Sequence, residues 1–303
     1  SKLIWKKNYY KKSEKKLKPA LTMANHENYL IVTDNLAKYY VLDIESGNLL
    51  WMKKNIAPFN SQIKVYKDNF FVTDFQNVLR CYSIKDGEEV WNIKTDSSFV
   101  KSQKKLSLII SDEKVYFNNS IGDISAVDIN RGKLVWQTPT QDSSIYESSF
   151  QLKTSDLVLA NKSIFFSNNT NEFYSLDAKT GTLIWQQKIN STVRPTVIDN
   201  FVFTVTEEGF LVIIESETGN IIRITNVFDR IKEKKRSNIK PIGFVVGSKN
   251  IYLTTSNGRL IAIDISTGKP ILMIKVDNKN ISRPFIFDKK LFIIKDSAII
   301  KLD

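Results

Sequence analysis

A chain with one cysteine and one histidine among 303 residues is short of the side chains that most metal and redox chemistry needs. Cys81 alone cannot close an intrachain disulfide or supply a zinc site built from several cysteines. His26 alone excludes multi-histidine metal sites and leaves one histidine for activating a nucleophile, with Cys81 far along the chain. Glycine is sparse as well, 11 in all, and no phosphate-binding glycine loop occurs. No apolar run approaches 18 residues, so no segment reads as a membrane-spanning helix. The opening SKLIWKKNYY lacks the apolar stretch and small-residue cleavage site of a signal peptide, as a mature or trimmed chain would.

What is plentiful is lysine and short apolar runs. The formal charge is +12 and the pI near 9.4, so an anionic partner would be attracted at long range, whether nucleic acid, acidic lipid headgroups or an acidic protein. Lys, Ile and Asn are frequent throughout, and part of the excess is solubility and compositional background. The hydrophobic content of 42% supports a sizeable core.

The apolar runs repeat. Aligned on a glycine, the copies are LDIESGNLLW (42–51), YSIKDGEEVW (82–91), VDINRGKLVW (127–136), LDAKTGTLIW (176–185), IESETGNIIR (214–223) and IDISTGKPIL (263–272). Gly47, Gly87, Gly132, Gly181, Gly219 and Gly268 lie 38 to 49 residues apart, a period that signals a solenoid, propeller or other array. Each copy holds four runs of five to seven residues rich in Ile, Val, Phe and Tyr, too short and too often interrupted for helices. In the first copy they are PALTMA (19–24), YLIVTD (29–34), YYVLD (39–43) and NLLWMKK (48–54). Four antiparallel strands per repeat make one propeller blade. The glycines are expected at the third turn, and Trp5, Trp51, Trp91, Trp136 and Trp185 as anchors between neighbouring blades.

The ends suggest how the array closes. RPFIFDKKLFIIKDSAIIKLD supplies three strands and SKLIW the outermost one, so residues 282–303 plus 1–7 read as a composite seventh blade that leaves no open edge. The expectation is one all-β domain over 1–303, a seven-bladed β-propeller of four-stranded antiparallel blades closed by pairing of the N-terminal strand with the C-terminal strands. The linkers 92–106, 137–150 and 226–240 fall between blades.

With LDAKTGTLIW, VDINRGKLVW and LDIESGNLLW in view, the chain resembles the PQQ-like β-propeller repeat family, whose core is Ala-x-Asp-x-x-Thr-Gly-x-x-x-Trp. Arg223 and Leu272 depart from the Trp, and Ser83 and Glu215 from the Asp. Within that family, quinone-dependent dehydrogenases use an adjacent cysteine pair, calcium-ligating carboxylates and amides, and an Asp base. One cysteine makes the pair impossible, and no such set maps onto this chain. No catalytic, metal or cofactor-binding residue is therefore assigned. The resemblance is greater to the non-catalytic BamB-like class, periplasmic lipoprotein scaffolds of outer-membrane β-barrel assembly. It implies a monomer with no cofactor, a protein partner (the barrel-forming subunit) and a lipid anchor that this chain does not carry. A quinone-dependent oxidoreductase, its degenerate relative, or a small-molecule sensor are the alternatives.

Two lone reactive residues read as structural. His26, in ANHENY, is expected as a solvated turn residue and Cys81, in VLRCYS, as a small buried hydrophobe. Partner contacts are expected on the junction loops. NYYKKSEKKLK (8–18) carries Lys11, Lys12, Lys15 and Lys16, FDRIKEKKRSNIK (228–240) carries Lys232, Lys234, Lys235 and Arg236, and VDNKNISRP adds Lys279 and Arg283. These form an expected basic arc facing an acidic protein or anionic membrane surface, whereas QTPTQDSSIYESSF is neutral to acidic. Nothing resembles a module that reads nucleic acid, so no specific nucleic-acid partner is expected.

Overall fold

β-Branched and aromatic side chains fit a pleated, half-buried surface, and Asp, Asn, Gly and Lys clusters between them turn the chain back. The computed structural model describes residues 3–96, 104–140, 152–296 and 298–302. Its fold is all-β, a seven-bladed β-propeller, with two short helices, α1 (Lys12–Lys16) and α2 (Glu233–Arg236), among the described residues. The chain divides into two compact units, Ser1–Leu152 and Lys153–Asp303.

The first unit holds three four-stranded antiparallel sheets. They are β1 (Leu21–His26), β2 (Tyr29–Asp34), β3 (Lys38–Asp43) and β4 (Leu49–Lys54); β5 (Lys64–Tyr66), β6 (Asn69–Thr73), β7 (Val78–Ser83) and β8 (Glu89–Lys94); and β9 (Leu108–Ser111), β10 (Lys114–Asn118), β11 (Ile124–Asp128) and β12 (Leu134–Thr138). The second unit has β13 (Val158–Ala160), β14 (Ser163–Ser167), β15 (Phe173–Asp177) and β16 (Leu183–Gln187), followed by β17 (Thr196–Ile198), β18 (Phe201–Val205), β19 (Phe210–Glu215) and β20 (Ile221–Asn226). It continues with β21 (Pro241–Val246), β22 (Asn250–Thr255), β23 (Arg259–Asp264) and β24 (Pro270–Lys275), and ends with β25 (Phe285–Phe287), β26 (Lys290–Lys295) and β27 (Ala298–Leu302). Parts of the expected linkers, 97–103 and 141–150, lie outside the described residues.

Alternation along the middle strands sends one set of side chains to each neighbouring sheet, so the core lies between sheets. Ile31, Tyr39 and Val41 of the first sheet meet Phe70, Val72 and Tyr82 of the second. Phe71, Leu79 and Cys81 on the far side of the second meet Val115, Phe117 and Val127 of the third. In the other unit Phe165, Phe173 and Trp185 pack against Val202, Val212 and Ile214.

The closing strand differs from expectation. The last sheet, β25–β26–β27, has three strands among the described residues, and residues 3–10 form no strand. Side chains hold that segment to the first sheet instead of a backbone ladder. Trp5 Nε1 donates to Ile44 O at 3.0 Å, the Tyr9 hydroxyl donates to Gly47 O, and the Tyr10 hydroxyl donates to Asp34 Oδ2 at 2.5 Å. Leu3 and Ile4, with no ladder to bury them, remain largely exposed.

A second departure is systematic. In all six four-stranded sheets with a glycine turn, the register shifts between the third and fourth strands just before the Trp position. The extra residue is Leu50, Val90, Val135, Ile184, Ile222 or Ile271, each aliphatic and exposed, from 45% at Ile184 to 54% at Val90 and Ile222. A bulge interrupts regular pairing along an outer strand, which is one way proteins protect an edge from adding further strands.

Candidate interaction surfaces

The repeated turn is held by a carboxylate. Asp177 Oδ1 accepts the N–H groups of Lys179 at 3.0 Å and Thr180 at 2.8 Å, together with the Thr180 hydroxyl at 2.8 Å. Asp264 is served likewise by Ser266 and Thr267. Hydroxyl and backbone donors stabilise the ionised form, which holds Asp43 and Asp177 below the ordinary carboxylate value and brings Asp264 down to about 2. Where Ser83 replaces the Asp, Asp86 supplies the carboxylate and accepts the Glu88 N–H at 3.1 Å.

The turns at Gly47, Gly87, Gly132 and Gly219 each receive an aromatic ring from the preceding segment. Trp51 Nε1 donates to Ile84 O at 2.7 Å, Trp91 to Ile129 O at 3.1 Å and Trp185 to Ser216 O at 2.9 Å, in each case three residues before the glycine. The ring lies flush on that glycine. A methyl group on Gly87 would fall 2.6 Å from Trp51, and one on Gly219 would fall 2.7 Å from Trp185. Trp5 makes the same pair of contacts with Ile44 and Gly47 although no strand carries it. Trp136 packs 5.9 Å from Tyr116 in its own sheet. Arg223, at the Trp position of β20, substitutes chemically: its Nη1 donates to Ser266 O at 2.6 Å and Ile265 O at 3.5 Å, and its stem lies 3.1 Å from where a Gly268 methyl would stand. The alignment marks position 223 as a departure; only the contact shows that the N–H donor is retained.

The isolated reactive residues are structural. Cys81 is fully buried in β7, and burial pushes its thiol up to about 12. His26 ends β1, paired with Tyr29 at the hairpin. Pattern reading missed an ionic cluster in the second sheet, buried at Asp74 and Arg80 and reaching the exposed Glu89: Arg80 Nε donates to Asp74 Oδ2 at 2.9 Å and Nη1 to Glu89 Oε2 at 2.6 Å. Asp74 also accepts from Asn55 and from the N–H groups of Gln76 and Val78, so its oxygens are occupied within the fold. A single Arg among strand residues gives no signal of this. Among the described residues no three His, Cys, Asp or Glu side chains come together as a metal site.

The second unit has a groove of about 350 Å³ whose lining includes Lys188, Asn190, Thr206, Glu208, Phe210 and Ile224. Asn190 Nδ2 already donates to Glu208 Oε1 at 2.8 Å, so its polar rim is partly self-satisfied.

The basic side chains separate into exposed and committed ones. Lys11, Lys12, Lys15 and Lys16, in and beside α1, are exposed, and Glu14 among them pairs with Lys38 at 2.7 Å. Lys232, Lys234 and Lys235 are exposed on the loop around α2. Arg236 turns inward instead: Nε donates to Ile231 O and Nη2 to Asp229 O, both at 2.8 Å. Arg283 donates from Nε to Phe244 O at 2.9 Å, its stem lies against Gly243, and burial lowers its pKa. Neither arginine is available as a partner contact in the way the loop sequences suggest, because backbone carbonyls nearby recruit the guanidinium.

Repeated four-stranded sheets docked by indoles and bulged at their outer strands define a PQQ-like β-propeller. The chain belongs to the family described as outer membrane protein assembly factor BamB, whose pattern it matches over residues 2–225 and 233–303. A curated relative from Shewanella oneidensis, outer membrane protein assembly factor BamB, is 28% identical over 128 residues, 42% of this chain and 29% of the relative. The aligned stretch thus spans less than a third of that relative's length. BamB from Moraxella catarrhalis has the same fold, with a TM-score of 0.75 at 14% identity over 93% of this chain and 83% of that one. The quinohemoprotein alcohol dehydrogenase of Comamonas testosteroni matches with a TM-score of 0.64 at 12% identity, over 90% of this chain and 63% of the enzyme.

Proposed function

We propose that this protein is a non-enzymatic scaffold for outer-membrane β-barrel protein assembly, working in the periplasm through a protein partner in the assembly machinery. The observation that carries the reading is the family match along nearly the whole chain. Cys81 is fully buried with its thiol pKa raised, His26 ends a hairpin strand, and the Asp74 oxygens are occupied by Arg80, Asn55 and backbone N–H groups. The likeness to the quinohemoprotein is one of fold, and fold alone does not carry a cofactor or a reaction.

The test is co-purification. The tagged chain, expressed in its source cells and extracted from membranes in mild detergent, is expected to bring down the barrel-forming assembly subunit, and its deletion to lower outer-membrane β-barrel protein levels. Absence of that subunit together with unchanged β-barrel protein levels would overturn the reading. A quinone absorbance band retained after dialysis against quinone and calcium would replace it with the oxidoreductase alternative.

A further inference from the structure

The loop 227–240 is the most unusual exposed segment of the second unit. It joins β20 to β21, and a solvated connection of lysines would need no interior of its own. This one has an interior: Val227 and Phe228 are fully buried, and Ile231 and Ile239 nearly so, all in one cluster with Phe244 and Leu253. The Phe228 ring lies so close to Gly209 that a methyl group there would fall 2.2 Å from it. Polar bonds complete the brace. Phe228 N–H donates to Asn226 Oδ1 at 2.9 Å, Arg236 ties to two carbonyls across the turn, and Arg230 Nη1 donates to Ile271 O of β24 at 3.1 Å. Packing at both ends and arginine ties across the middle make this a compact surface loop of fixed shape.

That fixed shape presents Lys232, Lys234 and Lys235, all exposed, with exposed Glu233 among them. None of these three lysines belongs to an ion pair among the described residues. Residues 226–232, where the loop begins, also fall in the break of the family match, so this braced start lies outside the shared pattern. We propose that the 227–240 loop is a docking epitope for an acidic segment of a protein partner. Preorganised lysines lower the ordering cost that a floppy loop would meet on binding. The interspersed Glu233 favours a protein over a lipid surface: anionic headgroups repel it, whereas a folded partner places a basic group opposite and uses the alternation to set register.

This inference rests on the scaffold reading for its partner class, and the experiment separates the two. The probe is a fluorescein-labelled 12-residue peptide of alternating Glu and Leu, titrated with the purified chain and followed by anisotropy at about physiological salt. Vesicles of phosphatidylglycerol serve as the lipid comparison. Variants are K232E/K234E/K235E, its neutral counterpart K232Q/K234Q/K235Q, and K11E/K12E/K15E as a charge-matched control on α1. The expected result is at least a tenfold loss of peptide affinity in both 232/234/235 variants, less than twofold in the α1 control, and unchanged melting temperatures. Equal losses in all variants would reduce the effect to net charge. No loss in the loop variants, or loss of vesicle binding without loss of peptide binding, would overturn the assignment. A melting-temperature drop confined to the charge-reversed variant leaves the neutral one to decide by the same criteria. Loop variants that lose the peptide but still co-purify with the barrel-forming subunit sink the docking epitope and leave the scaffold; a native chain that binds the peptide without co-purifying does the reverse.

Discussion

Gly219 and Gly268 occupy equivalent turns in the same compact unit, at φ of +77° and +73°, yet different side chains lie over them. Gly219 faces the Trp185 indole, with a would-be methyl 2.7 Å from Cδ2 and Cγ and 3.1 Å from Cβ. Gly268 faces Thr225 Oγ1 at 2.8 Å and the Arg223 stem at 3.1 Å. Alanine at either site incurs the left-handed backbone penalty of about 1 kcal/mol, and this common cost cancels in a comparison. What remains is steric. The indole is pinned by its ring stacking on Phe173 and its N–H bond to Ser216 O, so overpacking against it costs about 1–3 kcal/mol. The Thr225 hydroxyl and Arg223 stem can change rotamer. Gly219→Ala is therefore expected to destabilise by about 2–4 kcal/mol and Gly268→Ala by about 1 kcal/mol. In thermal unfolding a gap of about 2 kcal/mol corresponds to roughly 4–8 °C for a cooperative unit of this size. Urea midpoints and circular-dichroism melts of the two variants test it. Equal losses, or a larger loss for Gly268→Ala, would refute the claim that a rigid ring is what the glycine accommodates.

Other expectations follow from the same contacts. Arg223→Ala should cost about 1–2 kcal/mol through loss of its bonds to Ser266 and Ile265 carbonyls, and Arg223→Trp should recover most of it; a neutral Arg223→Ala would show that the stand-in role is absent. Arg80→Ala leaves the fully buried Asp74 carboxylate without its cation and is expected to cost about 3 kcal/mol, whereas Asp74→Asn with Arg80→Met should cost less than Arg80→Ala alone, as measured by chemical denaturation. The turn carboxylates have folded pKa values below their unfolded ones, so their contribution is present above about pH 4 and is lost as pH falls through the folded values, about 2 for Asp264. Melting temperature should then fall between pH 4 and 2, and Asp264→Asn should flatten that slope; an unchanged slope would count against the turn carboxylates as its source. Iodoacetamide should leave Cys81 unmodified at pH 8 in the folded protein and label it in urea; rapid labelling without denaturant would contradict its burial.

The parts of the fold legible in the chain were those with short-range causes. Strand boundaries follow the apolar runs closely: YLIVTD is β2 residue for residue, and NLLWMKK is β4 with one residue to spare. Gly47 through Gly268 mark the turns because an adjacent hydroxyl, amide or carboxylate closes each bend locally. The Trp positions are legible for the same reason, since they recur at one offset from the glycine. The register shift before each Trp is not, because LLW, EVW and LIW read as uninterrupted strands and only the facing strand reveals the extra residue.

The amino-acid pattern alone determined the class, the six four-stranded repeats and the turn chemistry, since four short strands with a glycine turn are encoded within 40 or so neighbouring residues. Tertiary structure decided what depends on competition between distant partners. Arg236 and Arg283 read as partner-facing charge, but carbonyls of Ile231, Asp229 and Phe244 draw them inward, while Lys232, Lys234 and Lys235 stay outside. Residues 1–7 read as a closing strand, but the first sheet holds the segment 5–10 by the Trp5 indole and the Tyr9 and Tyr10 phenols. A linear pattern records each donor; which acceptor wins depends on the three-dimensional placement of all of them.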